Sequence, residues 1–240
     1  MRRAALHLQS FTVHSERFPD TDTYPFNLPV LQGTETLAFD SPVTFFVGEN
    51  GTGKSTLLKA IAMRCGIHIW KGMDRTRYRH NPYEETLYRF LTVQWSNGGV
   101  PGAFYASELF RNFAQIVDEW ASTDPGVLEY FGGSLMNKSH GQSHMSFFDN
   151  RFRIEGLYML DEPENALSPK SQIRLLKLLG RTGGEGRSQF IIATHSPLLL
   201  ACPGATLYSF DDAPIRRTSY EETDHYRIYR DFLGNREKFL

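Results

Sequence analysis

The feature that most constrains the fold is a glycine-rich stretch between two apolar segments of different periodicity. The apolar run at 43–47 is continuous, which is typical of a buried parallel strand, whereas Leu57, Leu58 and Ile61 fall on one face of a helix. Between them the chain reads Gly-Glu-Asn-Gly-Thr-Gly-Lys-Ser-Thr at 48–56. A buried strand, a glycine loop and a helix in this order predict a layered α/β sheet.

The glycine loop has the pattern G-x-x-x-x-G-K-[ST] in the strand–loop–helix context that the pattern requires. Glycines let successive backbone N–H groups converge on phosphate oxygens, and the positive end of the following helix favours the same anion. We expect Lys54 to reach the β- and γ-phosphates of a nucleotide and Ser55 to ligate Mg²⁺. The predicted nucleotide-binding residues of the loop are Gly48, Glu49, Asn50, Gly51, Thr52, Gly53, Lys54, Ser55 and Thr56.

Short β-rich runs alternate with helical runs along the rest of the chain. Further strands are predicted at 4–13, 102–106, 157–160 and 190–193, with a hairpin at 205–210 and 215–219. Helices are predicted at 56–65, at 107–120, from Ser168-Pro169 to a stop at Gly180, and after position 221. Inward positions on the second and third of these helices are Leu109, Phe113, Ile116, Val117, Trp120, Ile173, Leu176 and Leu179.

Two adjacent carboxylates and a histidine end two of the buried strands. Asp161 and Glu162 follow one apolar run, and His195 follows another. Because side chains alternate along a strand, the carboxylates should differ in role, with Asp161 at the Mg²⁺ beside Ser55 and Glu162 as general base for a water. Ligands of open α/β sheets collect at the carboxyl ends of strands, where His195 should contact the γ-phosphate or the attacking water. The predicted catalytic residues are Lys54, Glu162 and His195.

Length and composition narrow the class of protein. The 240 residues fit one well-cored domain, 1–240, with an inserted subdomain at the aromatic-, Arg- and Gly-rich range 66–150. Lys plus Arg number 26 against 27 Asp plus Glu, so no overall basic field attracts nucleic acid or an anionic membrane. No apolar stretch approaches the roughly 20 residues of a membrane span. The N-terminus is a poor signal peptide, and the two cysteines, Cys65 and Cys202, fit a reducing compartment. We expect a cytoplasmic protein.

Together these motifs resemble those of ABC-type ATPases, with 48–56 as Walker A, 157–161 as Walker B, Glu162 as catalytic glutamate and His195 as switch histidine. The resemblance covers nearly the whole chain. It implies a P-loop NTPase fold, an ABC-type ATPase head with a mixed sheet and an inserted helical subdomain, hydrolysis of ATP to ADP and phosphate, and ATP and Mg²⁺ as cofactors.

The family signature, L-S-G-G-Q, has a counterpart in Lys-Ser-His-Gly-Gln at 138–142, at the place where the family carries it. Lys138 and His140 depart from the pattern. Ser139 and Gly141 keep a hydroxyl and an unhindered N–H that can meet a phosphate at a helix start. The resemblance implies that Ser139, Gly141 and Gln142 bind the γ-phosphate held by a second subunit.

Two further loops of the family are less regular in this sequence. The segment Asn-Ala-Leu-Ser at 165–168 resembles the D-loop, S-A-L-D, with Ser168 in place of the aspartate. For the Q-loop there are two candidates, Glu108 and Gln94. Glu108 is favoured because it follows the predicted strand 102–106 and opens a helix, and its carboxylate can ligate Mg²⁺ as the amide oxygen would.

The residues of these motifs are more similar to those of SMC-like and RecF-like ATPases of the AAA type than to those of transporters. The long coiled-coil arms of that branch have no counterpart in this sequence. The resemblance implies an ATP-dependent homodimer that acts as a switch or motor module in DNA maintenance or defence. Two alternatives stay open: a nucleotide-binding subunit of an ABC transporter, and a partner-regulated ATP switch without DNA contact.

Two groups of residues allow more than one interpretation. Arg75, Arg77 and Arg79 either touch a nucleic-acid backbone or form a solvated basic loop, and the second is favoured. Tyr24 and Phe26 either stack on adenine or pack in the core, and again the second is favoured.

Overall fold

The computed structural model describes residues 6–70 and 81–240. Its strands are β1 Leu8–Val13, β2 Thr36–Ala38, β3 Val43–Val47, β4 Leu91–Trp95, β5 Gly102–Ala106, β6 Gly156–Asp161, β7 Ser188–Ala193, β8 Thr206–Ser209 and β9 Arg216–Thr218. Its α-helices are α1 Pro29–Gly33, α2 Lys54–Arg64, α3 Phe110–Ala121, α4 Val127–Phe131, α5 His140–Arg151, α6 Pro169–Gly184, α7 Pro197–Leu200 and α8 Asp224–Gly234. Short 3₁₀ helices occur at Ser15–Arg17, Leu87–Phe90, Pro163–Ala166, Tyr220–Glu222 and Arg236–Phe239. Arg75, Arg77 and Arg79 lie outside the described residues.

The main sheet, within the described chain, has six strands in the order β5-β6-β7-β3-β8-β9, and only β9 is antiparallel to its neighbour. Strands β3, β6 and β7 are buried along their whole length, as their continuous apolar runs predict. The register pairs Ala106 with Asp161, Asp161 with Ala193, and Phe46 with Ala193. The carboxyl ends of β5, β6, β7 and β3 therefore meet at one edge.

A second, smaller sheet consists of β2-β1-β4, paired antiparallel. The buried side chain of Gln189 on β7 ties it to the main sheet. Its Oε1 accepts the backbone N–H groups of His7 and Leu8, at 3.0 and 2.8 Å, and its Nε2 donates to the Leu8 carbonyl at 2.9 Å. Three bonds satisfy an amide that would be costly to bury unpaired, so this contact fixes where the two sheets meet.

Apolar cores lie on both faces of the main sheet, because alternate residues of each strand point to opposite sides. Phe46 on β3 packs with the small sheet and helix α2, whereas its neighbour Phe45 packs with the helices of the other face. That second core is rich in aromatic rings, including Tyr105, Phe113 and Phe148. Helices on both faces of a mostly parallel sheet are the layered α/β arrangement that the sequence predicts.

Helix α6 differs from its prediction at its C-terminal end. Ser168 is its N-cap, and its Oγ accepts the Ser171 N–H, but the helix passes through Gly180 and ends at Gly184. Gly180 has a helical conformation, and the next glycine, Gly183, packs against the sheet, where an added Cβ would lie 3.3 Å from Pro42. Packing of this last turn extends the helix beyond the predicted stop.

Two predicted inward positions are wrong. Ile173 is 43% exposed and Trp120 is 47% exposed. The inward stripe of α6 passes through Leu175 and Leu179, with Ile173 on the opposite side, and Trp120 instead lies against Trp70 at a ring distance of 5.5 Å. Of the other predicted positions, Phe113, Val117 and Leu179 are buried, and Leu109, Ile116 and Leu176 are half-buried.

The range 66–150 is not helical throughout. It contains β4, which belongs to the small sheet, and β5, which forms the edge of the main sheet. Among the described residues of this range, α3 to α5 form a helical layer, and the limits of the inserted subdomain, 66–150, stay a prediction. The C-terminal hairpin, β8 with β9, and the following helix α8 occur as predicted. In the described ranges, no helix is long and apolar enough to cross a membrane.

Candidate functional site

The glycine loop connects β3 to α2 at the carboxyl edge of the main sheet. Gly48 and Gly53 have φ angles of 149° and 102°, which residues with a Cβ rarely adopt. A Cβ on Gly48 would also lie 2.9 Å from Asp211 Oδ1, and one on Gly53 would lie 3.1 Å from Leu28. The two glycines therefore allow both the backbone turn and the close approach of neighbouring segments.

Asp211, which sequence reasoning missed, holds the start of this loop. The Glu49 N–H donates to Asp211 Oδ1 at 2.8 Å, and Ser209 Oγ donates to the other carboxylate oxygen at 3.0 Å. The residue follows β8, which pairs with β3, so the sheet brings it beside the loop from a distant part of the chain. A turn-rich Asp-Asp-Ala-Pro stretch carries no sign of this contact.

Lys54, the first residue of α2, is buried and directs its ammonium into the loop. Its Nζ donates to the carbonyl oxygens of Gly48 and Glu49, both at 2.7 Å. Burial lowers the pKa of Lys54, and the negative charges of Glu162 and Asp211 oppose that shift. A buried cation surrounded by carbonyl dipoles and carboxylates is suited to a multiply charged phosphate group.

Ser55 and Asp161 meet directly, as the sequence predicts for a shared metal. Ser55 Oγ donates to Asp161 Oδ1 at 2.6 Å. Lys59, one turn along α2, places Nζ 3.9 Å from Asp161 Oδ2 and 3.7 Å from Glu108 Oε1. Burial raises the pKa of Asp161, while the Ser55 hydrogen bond and the Lys59 charge oppose the rise.

These oxygens fit Mg²⁺, which prefers hard oxygen ligands and uses few protein groups beside phosphate and water. The described residues contain no group of three or more His, Cys, Asp or Glu that could hold a metal ion. Glu108 follows β5 at this edge but is largely exposed. Gln94 lies in the small sheet, where its Oε1 accepts from Ser10 Oγ at 3.3 Å. Of the two Q-loop candidates, Glu108 is the one beside Asp161.

Glu162 follows β6 in a left-handed conformation, with φ 46° and ψ 55°, and is the sole non-glycine residue of positive φ among those described. Its N–H donates to the Ala193 carbonyl at 2.9 Å, which continues the sheet by one residue before the chain turns. Its side chain accepts a 2.7 Å bond from Asn165 Nδ2 and lies 3.7 Å from His195 Nε2. The side chains of Asp161 and Glu162 therefore point in different directions because of this backbone turn as well as strand alternation.

His195 is fixed on two sides. Its backbone N–H donates to Glu164 Oε1 at 2.6 Å, and its Nδ1 lies 3.0 Å from His225 Nε2. Burial lowers the pKa of His195, with further lowering from Lys54 and His225, while Glu162 opposes the shift. Sequence reasoning assigned no role to Glu164 or His225. The Asp-Glu-Pro-Glu phrase marks the turn that holds Glu164, but nothing in the sequence links His225 to the site.

The signature residues form the start of α5. Ser139 is the N-cap, and its N–H donates to Gln142 Oε1 at 3.2 Å in a capping box. An added Cβ on Gly141 would lie 3.6 Å from the carbonyl of Ala166, in the segment that resembles the D-loop. Ser139 is exposed, and none of its described hydrogen bonds joins it to the glycine loop. Within one chain, the signature and the loop are separate.

The two candidates for stacking on adenine, Tyr24 and Phe26, differ in their surroundings. Phe26 is fully buried and packs against Phe18 and Phe90, as the favoured interpretation predicts. Tyr24 is 40% exposed, and its hydroxyl lies 2.6 Å from Thr56 Oγ1 in the first turn of α2. The core interpretation is therefore wrong for Tyr24, whose side chain lies beside the glycine loop.

Comparison with known proteins agrees with these motifs. One family model, "AAA domain, putative AbiEii toxin, Type IV TA system", matches residues 146–201, and another, "AAA domain", matches residues 26–81. The thiamine import ATP-binding protein of Haemophilus influenzae is 28% identical over 63% of this chain and 74% of its own length. The cobalt import ATP-binding protein of Salmonella typhimurium is 27% identical over 70% of this chain and 67% of its own.

Solved structures share the fold at low sequence identity. The SMC head domain from Thermotoga maritima is 15% identical, with a TM-score of 0.50 over 89% of this chain and 99% of that one. The CbiO1 protein from Clostridium perfringens, part of an ABC transporter complex, is 16% identical, with a TM-score of 0.53 over 97% of both chains. The predicted P-loop fold of an ABC-type ATPase head is confirmed, and the two family matches confirm the resemblance to AAA-type ATPases.

Proposed function

We propose that this chain, which has the fold of an ABC-type ATPase head, binds Mg·ATP at the glycine loop and hydrolyses it to ADP and phosphate. The observation that carries the proposal is the 2.6 Å hydrogen bond from Ser55 Oγ to Asp161 Oδ1. It joins the loop to the end of β6 and so places Lys54 and Glu162 at the same edge. Neither segment alone has the groups that the reaction needs.

Each residue has a distinct task in this scheme. The loop N–H groups and Lys54 bind the phosphates, and Ser55 and Asp161 hold Mg²⁺, which when bound neutralises charge on the phosphate oxygens. Glu162 accepts a proton from the water whose oxygen attacks the γ-phosphorus, and the bond from that phosphorus to the bridging oxygen breaks. His195 orients the water or donates to a γ-phosphate oxygen.

The exposed signature residues support an ATP-dependent homodimer. Ser139 and Gly141 lie at the N-terminus of α5, a helix of 12 residues, where backbone N–H groups and the helix dipole favour an anion. Because Ser139 is exposed and its hydrogen bond goes to Gln142 rather than to the loop of its own chain, these residues suit the phosphate bound by a second chain. ATP would then join two subunits, and hydrolysis would release them.

The biological process is proposed as DNA maintenance or defence, with ATP turnover switching a dimer between closed and open forms. The toxin–antitoxin family model and the SMC head structures support this reading. The curated import proteins favour a second candidate, a nucleotide-binding subunit of a transporter. A switch that acts only on a partner protein is the third. All three candidate roles are consistent with the proposed location in the cytoplasm.

An ATPase assay with Glu162→Gln tests the chemistry. We expect wild-type protein to hydrolyse ATP and the variant to lose about 10²- to 10⁴-fold in rate while still binding ATP, because only the base is removed. Glu155→Gln is the matched control, since Glu155 is an exposed carboxylate at the opposite end of β6. A Glu162→Gln rate equal to wild type would refute the catalytic assignment.

A mixing experiment tests the shared site. Lys54→Ala should lose ATP binding, and Ser139→Arg should block the phosphate of the partner, so each variant alone should be inactive. A mixed dimer has one complete site, made from the intact loop of one chain and the intact signature of the other. We expect mixing to restore part of the activity. A mixture as inactive as its components would contradict the dimer, as would wild type remaining monomeric with ATP in sizing experiments.

The biological process is tested by examining how the protein responds to candidate partners. Stimulation of the ATPase by double-stranded DNA would support the DNA-related role. If DNA has no effect and the chain co-purifies with a membrane protein, the transporter role is favoured instead. An ATPase that responds only to a soluble partner would support the third candidate.

A further inference from the structure

The C-terminal helix α8 contributes a side chain to the candidate ATP site. His225, in the first turn of α8, places Nε2 3.0 Å from Nδ1 of His195. The helix start is itself fixed, because Thr223 Oγ1 donates to the Tyr220 carbonyl at 2.7 Å and accepts the Tyr226 N–H at 3.2 Å. His225 lies beyond both ranges matched by the family models, 26–81 and 146–201.

The short distance between the two rings limits their protonation. Two protons between Nδ1 of His195 and Nε2 of His225 would clash, and two lone pairs would repel. One ring therefore donates to the other. Burial lowers the pKa of both rings, which favours the neutral forms at pH 7. Two tautomeric arrangements remain, distinguished by which ring carries the shared proton.

The surroundings of the outer nitrogens decide between these arrangements. His195 Nε2 and His225 Nδ1 are both buried without a hydrogen-bond partner, but His195 Nε2 lies 3.7 Å from the carboxylate oxygen Oε1 of Glu162. If His195 donates, its Nε2 lone pair faces a carboxylate and His225 keeps a buried N–H without an acceptor, which is costly. If His225 donates, the second N–H belongs to His195 and faces the Glu162 carboxylate at 3.7 Å, which is favourable although longer than a hydrogen bond, and His225 keeps only a buried lone pair.

We propose that His225 is a positioning residue that donates its Nε2–H to His195 and thereby holds His195 in the tautomer with the proton on Nε2. That nitrogen faces Glu162, and its N–H would be the donor to a γ-phosphate oxygen or to the attacking water once nucleotide is bound. The proposal rests on the proposed ATPase function for its consequence, but the tautomer itself exists without nucleotide. It also makes α8 part of the site, so displacement of this helix would alter turnover.

The direct test is the tautomer of His195, measured by ¹⁵N NMR on the 240-residue chain with labelled histidine. His195→Gln identifies the His195 signals by their loss. In wild type we expect a protonated Nε2 and an unprotonated Nδ1. His225→Gln retains an amide N–H that can donate to Nδ1 and should keep this pattern, whereas His225→Leu should shift the population toward the other tautomer. A wild-type spectrum with Nδ1 protonated, or an unchanged tautomer in His225→Leu, would overturn the proposal.

Kinetics provide the second readout. His225→Leu should lower kcat about fivefold, as expected for one lost neutral hydrogen bond, with KM for ATP near wild type. His225→Gln should restore kcat to within about twofold of wild type. Tyr229→Ala, an exposed position one turn further along α8, is the control for disturbance of the helix and should have no effect. Equal losses in the Leu and Gln variants would contradict the proposal.

The proposed ATPase function and the proposed positioning role of His225 can be refuted separately. A wild-type protein without ATPase activity would remove the proposed function, while the NMR measurement would still decide the tautomer. Conversely, an active enzyme whose His195 tautomer is independent of residue 225 would leave the proposed function intact and refute the positioning role. Thermal unfolding of both His225 variants establishes that each is folded before either readout is interpreted.

Discussion

Backbone strain at Glu162 predicts that glycine is more stable than alanine at this position. The residue has φ 46°, and Pro163, which follows it, further restricts its backbone. The left-handed region costs a residue with a Cβ about 1–2 kcal/mol, and glycine adopts it freely. Strain of this kind persists only where neighbouring contacts fix the backbone, as the bond from the Glu162 N–H to Ala193 does here.

The comparison of Glu162→Gly with Glu162→Ala isolates this backbone effect. Both variants lose the same side-chain contacts, to Asn165 and His195. Against the relief of about 1–2 kcal/mol stands the greater freedom of glycine in the unfolded chain, about 0.4–1 kcal/mol, so the net advantage of glycine is about 0.5–1 kcal/mol. Both variants should lack ATPase activity, because the base is gone.

Urea unfolding with equal m-values measures the difference, and a shift of about 2–4 °C in Tm per kcal/mol is expected for a chain of this size. The control pair is Lys177→Gly and Lys177→Ala, at an exposed position inside α6. There glycine should be less stable by about 1 kcal/mol. If alanine equals or exceeds glycine in stability at position 162, the strain interpretation is wrong.

Four further predictions concern the metal site, pH and two glycines. Ser55→Ala and Asp161→Asn should each weaken Mg²⁺-dependent ATP binding, measured by calorimetry with and without Mg²⁺, because each removes an oxygen that holds the metal. Burial, and secondarily His140, lower the pKa of His144 to about 3, so its unfolded form binds protons first as the pH falls below 6.5. Stability measured by urea unfolding should therefore drop by about 2 kcal/mol from this residue between pH 7 and 5, and His144→Gln should reduce the drop. Gly180→Ala, inside α6 with no atom within 4 Å of an added Cβ, should stabilise the protein by about 0.5–1 kcal/mol in the same assay. Gly102→Ala should destabilise it by at least about 2 kcal/mol, because its Cβ would lie 2.4 Å from the Leu157 carbonyl oxygen.

Each of these four predictions would be contradicted by a specific result. Metal-dependent ATP affinity unchanged in both site variants would place Mg²⁺ elsewhere. An identical pH dependence in wild type and His144→Gln would show that His144 titrates normally in the folded state. A destabilising Gly180→Ala would mean that the glycine is needed where the helix passes through it, and a neutral Gly102→Ala would mean that β5 and β6 can separate without loss.

Much of the candidate site is predictable because its signals are local. The glycine spacing, the lysine and the hydroxyl at 48–56 form one continuous pattern at a tight backbone turn, and the carboxylates after β6 follow an apolar run. The contact of Ser55 with Asp161 follows from two strand ends sharing one edge. The wrong prediction for the end of α6 also came from a local signal. Gly180 has the residue type of a helix stop, but packing of the next turn against Pro42 decides where α6 ends.

Residues that support the site are not predictable in this way. Asp211 holds Glu49 across 162 positions of sequence, and His225 meets His195 across 30. Neither belongs to a periodic pattern or a motif, because a hydrogen-bond partner can come from any segment that the fold brings near. Glu164 lies closer to the recognised phrase, yet its bond to the His195 N–H depends on how β6 and β7 align.

The sequence by itself determined a segment of strand, glycine loop and helix, and an acidic pair and a histidine at strand ends, since φ requirements and side-chain periodicity are set by neighbouring residues. The tertiary structure alone decided which groups complete the site. A parallel sheet whose neighbouring strands are distant in sequence gathers the ends of β3, β6 and β7 at one edge, and the helix after the final hairpin adds His225. Side-chain orientation at Glu162 likewise depends on a left-handed turn that the sheet and Pro163 enforce, which no residue pattern specifies.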